Sequence, residues 1–135
     1  MSKASLDTNV LLRATLKDIP EQFERAKALL STPGTTFLVS DIAVAEYVYA
    51  LEDHYHLARE QVAEMVRGII LLPNVRLDES RFAAVLDEWV SHPKLSFEDC
   101  CLAESARAAE ATPLWTFDKK LAKQHGAAAE VPQLR

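Results

Sequence analysis

The chain has 135 residues, of which 49% are hydrophobic and 26% charged, and its formal net charge at pH 7 is −5. This composition is typical of a folded protein that buries a core without disulfides or structural metal, and the length predicts one domain over residues 1–135. The acidic balance argues against a protein that coats nucleic acid through bulk electrostatics, but not against an enzyme that meets nucleic acid through bound cations.

Strand-like and helix-like segments alternate along the chain. Runs of β-branched and aromatic residues predict strands, and apolar residues at helical spacing behind Ser, Asp or Pro predict helices. Strands are predicted at residues 3–6, 36–39, 74–77, 114–117 and 130–131. Helices are predicted between them at 9–16, 20–30, 42–52, 57–71, 79–91 and 96–111, and from 118 or 119 to about 125. The alternation predicts an α/β fold, a parallel sheet with helices on both faces, and an αα-hairpin at 42–72.

Three absences predict a cytoplasmic protein that does not enter membranes. The longest aliphatic run, residues 69–72, falls far short of the ~20 residues that a membrane-spanning helix needs. The first residues lack the apolar segment of a secretory signal. The two cysteines, Cys100 and Cys101, are adjacent and cannot easily pair on a helix, which is typical of core residues in a reducing compartment.

Four carboxylates are expected to meet at one edge of the sheet. Asp7 and Asp118 each follow a predicted strand, Asp99 lies in the first turn of a predicted helix, and Glu46 lies inside another. The carboxyl ends of parallel strands and the starts of the helices after them share one edge. Glu46 and Asp99 fall on apolar helical faces, where an inward carboxylate needs a partner, and no matching set of cationic side chains is apparent. A hard divalent cation, Mg²⁺ or Mn²⁺, would supply that charge and serve phosphoryl chemistry.

Each of these acids also has a purely structural interpretation. Asp7 and Asp118 stand where they would cap the helices that follow, and Ser96 with Asp99 has the spacing of a capping box. Glu46 is the hardest to explain in this way, because caps do not lie inside helices. Since capping and metal binding are compatible, the metal hypothesis depends on the set of four.

At the same four places the chain resembles the PIN-domain family, and most closely its VapC-type toxin branch. The resemblance covers nearly the whole chain, and the four motifs occur in order, which is far more specific than any one of them. The segments are Leu6-Asp7-Thr8-Asn9-Val10-Leu11-Leu12, Ser40-Asp41-Ile42-Ala43-Val44-Ala45-Glu46, Phe97-Glu98-Asp99-Cys100-Cys101-Leu102-Ala103 and Thr116-Phe117-Asp118-Lys119-Lys120-Leu121.

The resemblance implies a three-layer α/β/α sandwich with a central parallel sheet and a Mg²⁺- or Mn²⁺-dependent endoribonuclease. The catalytic, metal-holding carboxylates would be Asp7, Glu46, Asp99 and Asp118. The residues supporting them would be Thr8, Asn9 and Thr116. In the third motif helical register favours Asp99, and its neighbour Glu98 could join the site through water.

The toxin branch further implies a homodimer that is inhibited by a small cognate antitoxin. Such an antitoxin would lay an amphipathic segment into an apolar groove. Tyr47, Tyr49 and Leu51 are candidates to line this groove, and a core role is equally open for some of them.

Basic side chains flank the predicted site, where an activated water would attack a backbone phosphate in line with the leaving 3′ oxygen. The candidates for contacts to RNA phosphates are Arg13, Lys119, Lys120 and Lys123. For each of them an ordinary solvated helix charge is the alternative interpretation.

Rival functions fit the residues less well. A haloacid-dehalogenase phosphatase would need a second aspartate two residues after Asp7, where the chain has Asn9, and a receiver domain would need an acidic pair that is missing. His54 and His56 have the spacing of a transition-metal pair, but a polar turn between helices is favoured. The main alternative is a PIN-like interaction module without catalysis, and the presence of all four carboxylates argues against it.

Overall fold

The computed structural model describes residues 2–134, which fall into two compact units, Met1–Leu77 and Asp78–Arg135. Each unit combines helices with parallel strands. The predicted α/β fold class is therefore confirmed. Within residues 2–134, no helix has the length and apolar character needed to cross a membrane.

The first unit is built on a three-stranded parallel sheet. Its strands are β1 (Ser2–Ser5), β2 (Thr35–Leu38) and β3 (Val75–Arg76), in the order β1-β2-β3. Its helices are α1 (Thr8–Leu16), α2 (Pro20–Leu30), α3 (Asp41–Tyr49) and α4 (Arg59–Ile70), and a π-helical turn at Ala50–His54 continues α3. The register aligns Ala4 of β1 with Phe37 of β2, and Phe37 with Val75 of β3.

Local signals explain where these elements start. Pro20 occupies the first turn of α2, where its missing N–H has no helical partner to lose. Ser40 caps α3, its Oγ accepting a hydrogen bond from the N–H of Ala43 at 3.2 Å. Gly34 has a φ of 72° in the turn before β2, a conformation that side chains disfavour. The buried apolar side chains of the unit include Phe37 of β2 and Val62 of α4.

The second unit contains three helices and a two-stranded parallel sheet among its described residues. The elements are α5 (Glu79–Ser91), α6 (Phe97–Ala108), β4 (Leu114–Thr116), α7 (Lys119–Gln124) and β5 (Ala128–Glu130). Aromatic rings from α5 and α6 pack together: the ring of Phe97 lies 5.4 Å from that of Trp89, edge to face, and 6.4 Å from that of Phe82. All three side chains are buried.

Most predicted elements are observed with ends shifted by one to three residues, and two differences have a clear physical reason. The third predicted helix was expected to end at residue 52, and the π-helical turn carries it to His54. The last strand is Ala128–Glu130 rather than residues 130–131, and it pairs residue for residue with β4. Alanines have little intrinsic preference for strands, so only pairing with β4 reveals this one. As predicted, no strand separates α3 from α4.

Buried Tyr47 is expected to make the protein lose stability in alkali. Burial raises the pKa of Tyr47 to about 12 from 10.0, while its hydroxyl donates a hydrogen bond to Thr15 at 2.9 Å. The unfolded chain thus loses this proton first, so the stabilisation is complete below pH 10 and declines as the pH rises towards 12. Urea unfolding at pH 10 and at pH 12 measures how much unfolding free energy is lost between the two. Tyr47→Phe should lose up to about 3 kcal/mol less than the wild type, because it has no hydroxyl to ionise. Equal losses in the two proteins would contradict this account.

Candidate functional site

Asp7 lies between β1 and α1 and caps α1. Its Oδ1 accepts a hydrogen bond from the N–H of Thr8 at 2.8 Å, and the residue is exposed. The backbone just before it is held in the sheet, since the N–H of Leu6 donates to the carbonyl of Leu38. The second oxygen, Oδ2, makes no hydrogen bond with any described residue. Asp7 is therefore a helix cap, and capping uses only one of its two carboxylate oxygens.

Thr8 contacts both Asp7 and Glu46, the first through its backbone N–H and the second through its hydroxyl. The hydroxyl of Thr8 lies 3.4 Å from Oε2 of Glu46 and 3.5 Å from the carbonyl of Ala43, and Thr8 is only 8% exposed. Neighbouring Val44 is buried, but Glu46 itself is exposed. The expectation that Glu46 points inward was wrong, because its carboxylate lies on the side of α3 that faces solvent. Asp7, Thr8 and Glu46 form one acidic group in the first unit.

Asp99 begins α6 in the second unit with a capping box. The N–H of Asp99 donates to Oγ of Ser96 at 3.0 Å, and the N–H of Ser96 donates to Oδ2 of Asp99 at 3.1 Å. Asp99 is half-buried, and its Oδ1 makes no hydrogen bond within residues 2–134. Asp99 was expected on an apolar face of this helix that points inward together with Leu102 and Ala103; Ala103 is buried but Leu102 is 56% exposed, so the expectation holds only in part.

Asp118 is the N-cap residue of α7. Its Oδ1 accepts hydrogen bonds from the N–H groups of Lys120 at 2.9 Å and Leu121 at 3.1 Å. Its own N–H donates to Oγ1 of Thr116 at 2.9 Å, which fixes the backbone between β4 and α7. Asp118 is exposed, and its Oδ2 has no hydrogen-bond partner in the described part of the chain.

The four carboxylates share one arrangement. In each, one oxygen is tied to the protein and the other is open, and none forms an ion pair with a cationic side chain of residues 2–134. Backbone N–H groups hold the three aspartates and the hydroxyl of Thr8 holds Glu46, and carboxylate oxygens that remain open are ligands of the kind that a hard divalent cation such as Mg²⁺ or Mn²⁺ prefers. Asp7 and Glu46 lie in the first unit, and Asp99 and Asp118 lie in the second.

Of the flanking groups, Arg13 is already in use. Its guanidinium donates to Oδ1 of Asp18 at 2.7 Å and to the hydroxyl of Tyr55 at 3.1 Å, and its side chain is 14% exposed. The hydrogen bond to Tyr55 is the chief reason why the pKa of Arg13 is raised. These contacts join α1 to the region after α3, so Arg13 is a poor candidate for a phosphate contact. Asn9 is exposed in the first turn of α1.

The lysines of α7 are in a different position. Lys119, Lys120 and Lys123 are all exposed, and none pairs with an acidic side chain among the described residues. Their ammonium groups are therefore available to an anionic partner.

A second acidic group in the second unit was not predicted. Nε2 of His125 lies 3.5 Å from Glu104 and 3.9 Å from Glu88, and the three ligand atoms lie within 4.8 Å of one another. By distance alone this group could hold a metal ion. Nδ1 of His125, however, accepts a hydrogen bond from the N–H of Ala127 at 3.0 Å, so the neutral ring carries its proton on Nε2.

A metal on Nε2 would require that proton on Nδ1 instead, and the bond to Ala127 would have to break. Oε1 of Glu104 also accepts a hydrogen bond from Arg107 at 2.9 Å. The group is better explained as a polar cluster, buried at Glu104 and His125 and half-buried at Glu88, that links α5, α6 and the end of α7. The presence of Glu104 on the apolar face of α6 is the one sequence signal that would have drawn attention to it.

Comparison with known protein families identifies a matching family. A family model described as the PIN domain matches residues 4–126, a stretch that reaches into both units and includes all four carboxylates. No curated protein matches the chain.

Proposed function

The chain belongs to the PIN domain family, whose members are generally nucleases that act on nucleic acid, and from this we propose that it is a divalent-metal-dependent endoribonuclease. The observation that carries the proposal is the shared state of the four acids, each with one tethered and one open oxygen and no cationic side chain as partner. We propose that the two units act as one domain, in which Asp7, Glu46, Asp99 and Asp118 hold Mg²⁺ or Mn²⁺ together.

The roles of the residues in hydrolysis follow from their contacts. A divalent cation, when bound, supplies the positive charge that stabilises a phosphate under attack and acidifies the attacking water. Backbone N–H groups at the starts of α1, α6 and α7 hold the aspartates in place, and the hydroxyl of Thr8 orients Glu46. Thr116 positions the backbone of Asp118. The lysines of α7 would bind phosphates next to the cleaved bond, by charge attraction.

The toxin role is a further part of the proposal. As the toxin of a type II toxin–antitoxin pair, the protein would act in the cytoplasm as a homodimer inhibited by a small antitoxin. Tyr47 and Leu51 are buried at 0% exposure and cannot line a groove, whereas Tyr49 is 62% exposed. An open apolar pocket of about 640 Å³ in the first unit, lined by residues such as Phe23, Met65 and Ile69, would accept the apolar face of a helix.

Purified full-length protein incubated with structured RNA tests the enzyme proposal. Cleavage is expected with Mg²⁺ or Mn²⁺ and not with a chelator. The competing function, an interaction module without catalysis, predicts intact RNA under all these conditions. The toxin role predicts that expression stops growth, and that a short neighbouring gene encodes a protein that restores it.

Thr8→Val is expected to weaken metal activation without removing catalysis. The change keeps the shape of the side chain but removes the hydroxyl beside Glu46. Residues that orient metal ligands affect metal affinity by about 10- to 100-fold, and the long contact here places the effect near tenfold. RNA cleavage measured over a range of Mn²⁺ concentrations should show a higher Mn²⁺ activation constant for Thr8→Val than for the wild type. The cleavage rate at saturating Mn²⁺ should change little. Thr36→Val, a matched change in β2, should leave the titration unaltered, and the same curve for both variants would rule out this role of Thr8.

A further inference from the structure

A buried contact joins the two helices that begin with Asp99 and Asp118. Glu104 of α6 and His125 at the end of α7 are 3% and 1% exposed, and Oε1 of Glu104 lies 3.5 Å from Nε2 of His125. Nε2 carries the proton of the neutral ring and has no closer polar contact among the described residues. The proposed hydrolysis uses neither side chain.

The contact lies a short way along each helix from the aspartate at its start. Glu104 follows Asp99 by five residues in α6, and His125 follows Asp118 by seven residues at the end of α7. At 1.5 Å per residue these separations are about 7.5 Å and about 10.5 Å, short enough for each helix to act as a rigid rod. A shift of α7 against α6 at the contact therefore moves Asp118 relative to Asp99.

The ring of His125 is also fixed to the end of α7 and to the sheet. Its Nδ1 accepts a hydrogen bond from the N–H of Ala127 at 3.0 Å, and the carbonyl of Ala127 accepts one from the N–H of Leu114 in β4 at 2.7 Å. The N–H of His125 closes the last turn of α7 on the carbonyl of Leu121. The imidazole thus ties α7 and the β4–β5 pair to one point, and Nε2 presents that point to α6.

The polar character of this contact favours one spacing of the helices. A buried carboxylate and a buried imidazole are costly to remove from water, and apolar side chains of similar volume are often equally stabilising or better. What the polar pair adds is a penalty for separation. If α7 moved away from α6, the N–H at Nε2 would leave its nearest acceptors, on Glu104 and Glu88, and stay buried without a partner.

We propose that Glu104 and His125 are positioning residues whose buried contact sets the spacing of Asp99 and Asp118 for a divalent cation. The inference rests on the proposed function, in which both aspartates hold the metal, and it adds two residues that act on metal binding without touching the ion. Residues that orient metal ligands change metal affinity by about 10- to 100-fold. Because this contact acts through two helices, the expected effect is about tenfold, at the lower end of that range.

Mn²⁺ binding in the absence of RNA tests the positioning role. Full-length protein is titrated with Mn²⁺, and the free ion is measured by electron paramagnetic resonance. Glu104→Leu fills the space without a carboxylate, and His125→Asn keeps an acceptor for the N–H of Ala127 but is too short to reach Glu104. Each change should weaken Mn²⁺ binding about tenfold. Glu104→Gln keeps an acceptor for Nε2 and should weaken it much less.

A double variant tests whether the two residues act through one contact. If they do, Glu104→Leu combined with His125→Asn should weaken Mn²⁺ binding about tenfold, no more than either change alone. Independent effects would multiply to about a hundredfold and would contradict a shared contact. Val85→Ala is the control for lost stability, because Val85 is a buried residue of α5 that forms no part of the contact. It should bind Mn²⁺ like the wild type.

The outcomes separate the positioning role from the proposed function. Wild-type Mn²⁺ affinity in both Glu104→Leu and His125→Asn overturns the positioning role, even if the protein cleaves RNA. An equal loss of affinity in Val85→Ala also overturns it, because lost stability would then explain the effect. Wild-type protein that binds no Mn²⁺ overturns the positioning role together with the metal site. The expected losses of Mn²⁺ affinity in a protein that never cleaves RNA support the positioning role and refute the proposed nuclease.

Discussion

Asp7→Asn is expected to lower metal-dependent RNA cleavage by about 10³-fold or more. Asparagine keeps the oxygen that caps α1 through the N–H of Thr8 but removes the negative charge from the open side of the group. A catalytic cation contributes several kcal/mol to transition-state stabilisation, and each 1.36 kcal/mol is worth a factor of ten in rate. Single-turnover cleavage of RNA at saturating Mn²⁺ measures the effect.

The control for this variant is Asp53→Asn, because Asp53 is exposed in the same unit but lies in the π-helical turn after α3. It should cleave like the wild type, and both variants should unfold at wild-type urea concentrations. If Asp7→Asn and wild type cleave RNA alike, the enzyme proposal is wrong.

Trp89→Ala is expected to cost about 3–5 kcal/mol of unfolding free energy, the usual loss for a large aromatic side chain removed from a core. Trp89 is 0% exposed and packs edge to face against Phe97, so its removal leaves a cavity between α5 and α6. Urea unfolding followed by circular dichroism measures the loss. Trp89→Phe keeps an aromatic ring at the site and should lose less.

The other tryptophan provides a matched comparison. Trp115 is 57% exposed, and a surface substitution of this kind changes stability by about 0.5 kcal/mol. Trp115→Ala should therefore unfold close to the wild type. A loss from Trp89→Ala no greater than that from Trp115→Ala would show that the core described between α5 and α6 does not stabilise the protein.

Elements with strong local signals were predictable from the sequence. Helix α5 has apolar side chains at i, i+3, i+4 and i+7, and its observed ends match the prediction. Helix α2 starts at Pro20 as predicted. The strand β5 and the π-helical turn were less predictable, because pairing with β4 and contacts of the surrounding chain determine them rather than residue preference.

The candidate site was predictable in its residues but not in its details. Sequence indicated the acids and the caps, since both depend on position within a helix or strand. It could not show that Glu46 is exposed, because a helix with apolar residues nearly all round does not reveal which side faces the core. It could not show that Arg13 bonds to Tyr55, nor that His125 lies beside Glu88 and Glu104, because these contacts join distant parts of the chain.

The helix-start geometry of the three aspartates has a consequence for how a cation would be captured. Because Asp7, Asp99 and Asp118 already hold their rotamers through backbone N–H groups, an arriving ion would not have to order them first. Less side-chain entropy would then be lost on binding. Under the proposed function, a cation would complete a site whose three aspartates are already in position, and it would not have to build that site.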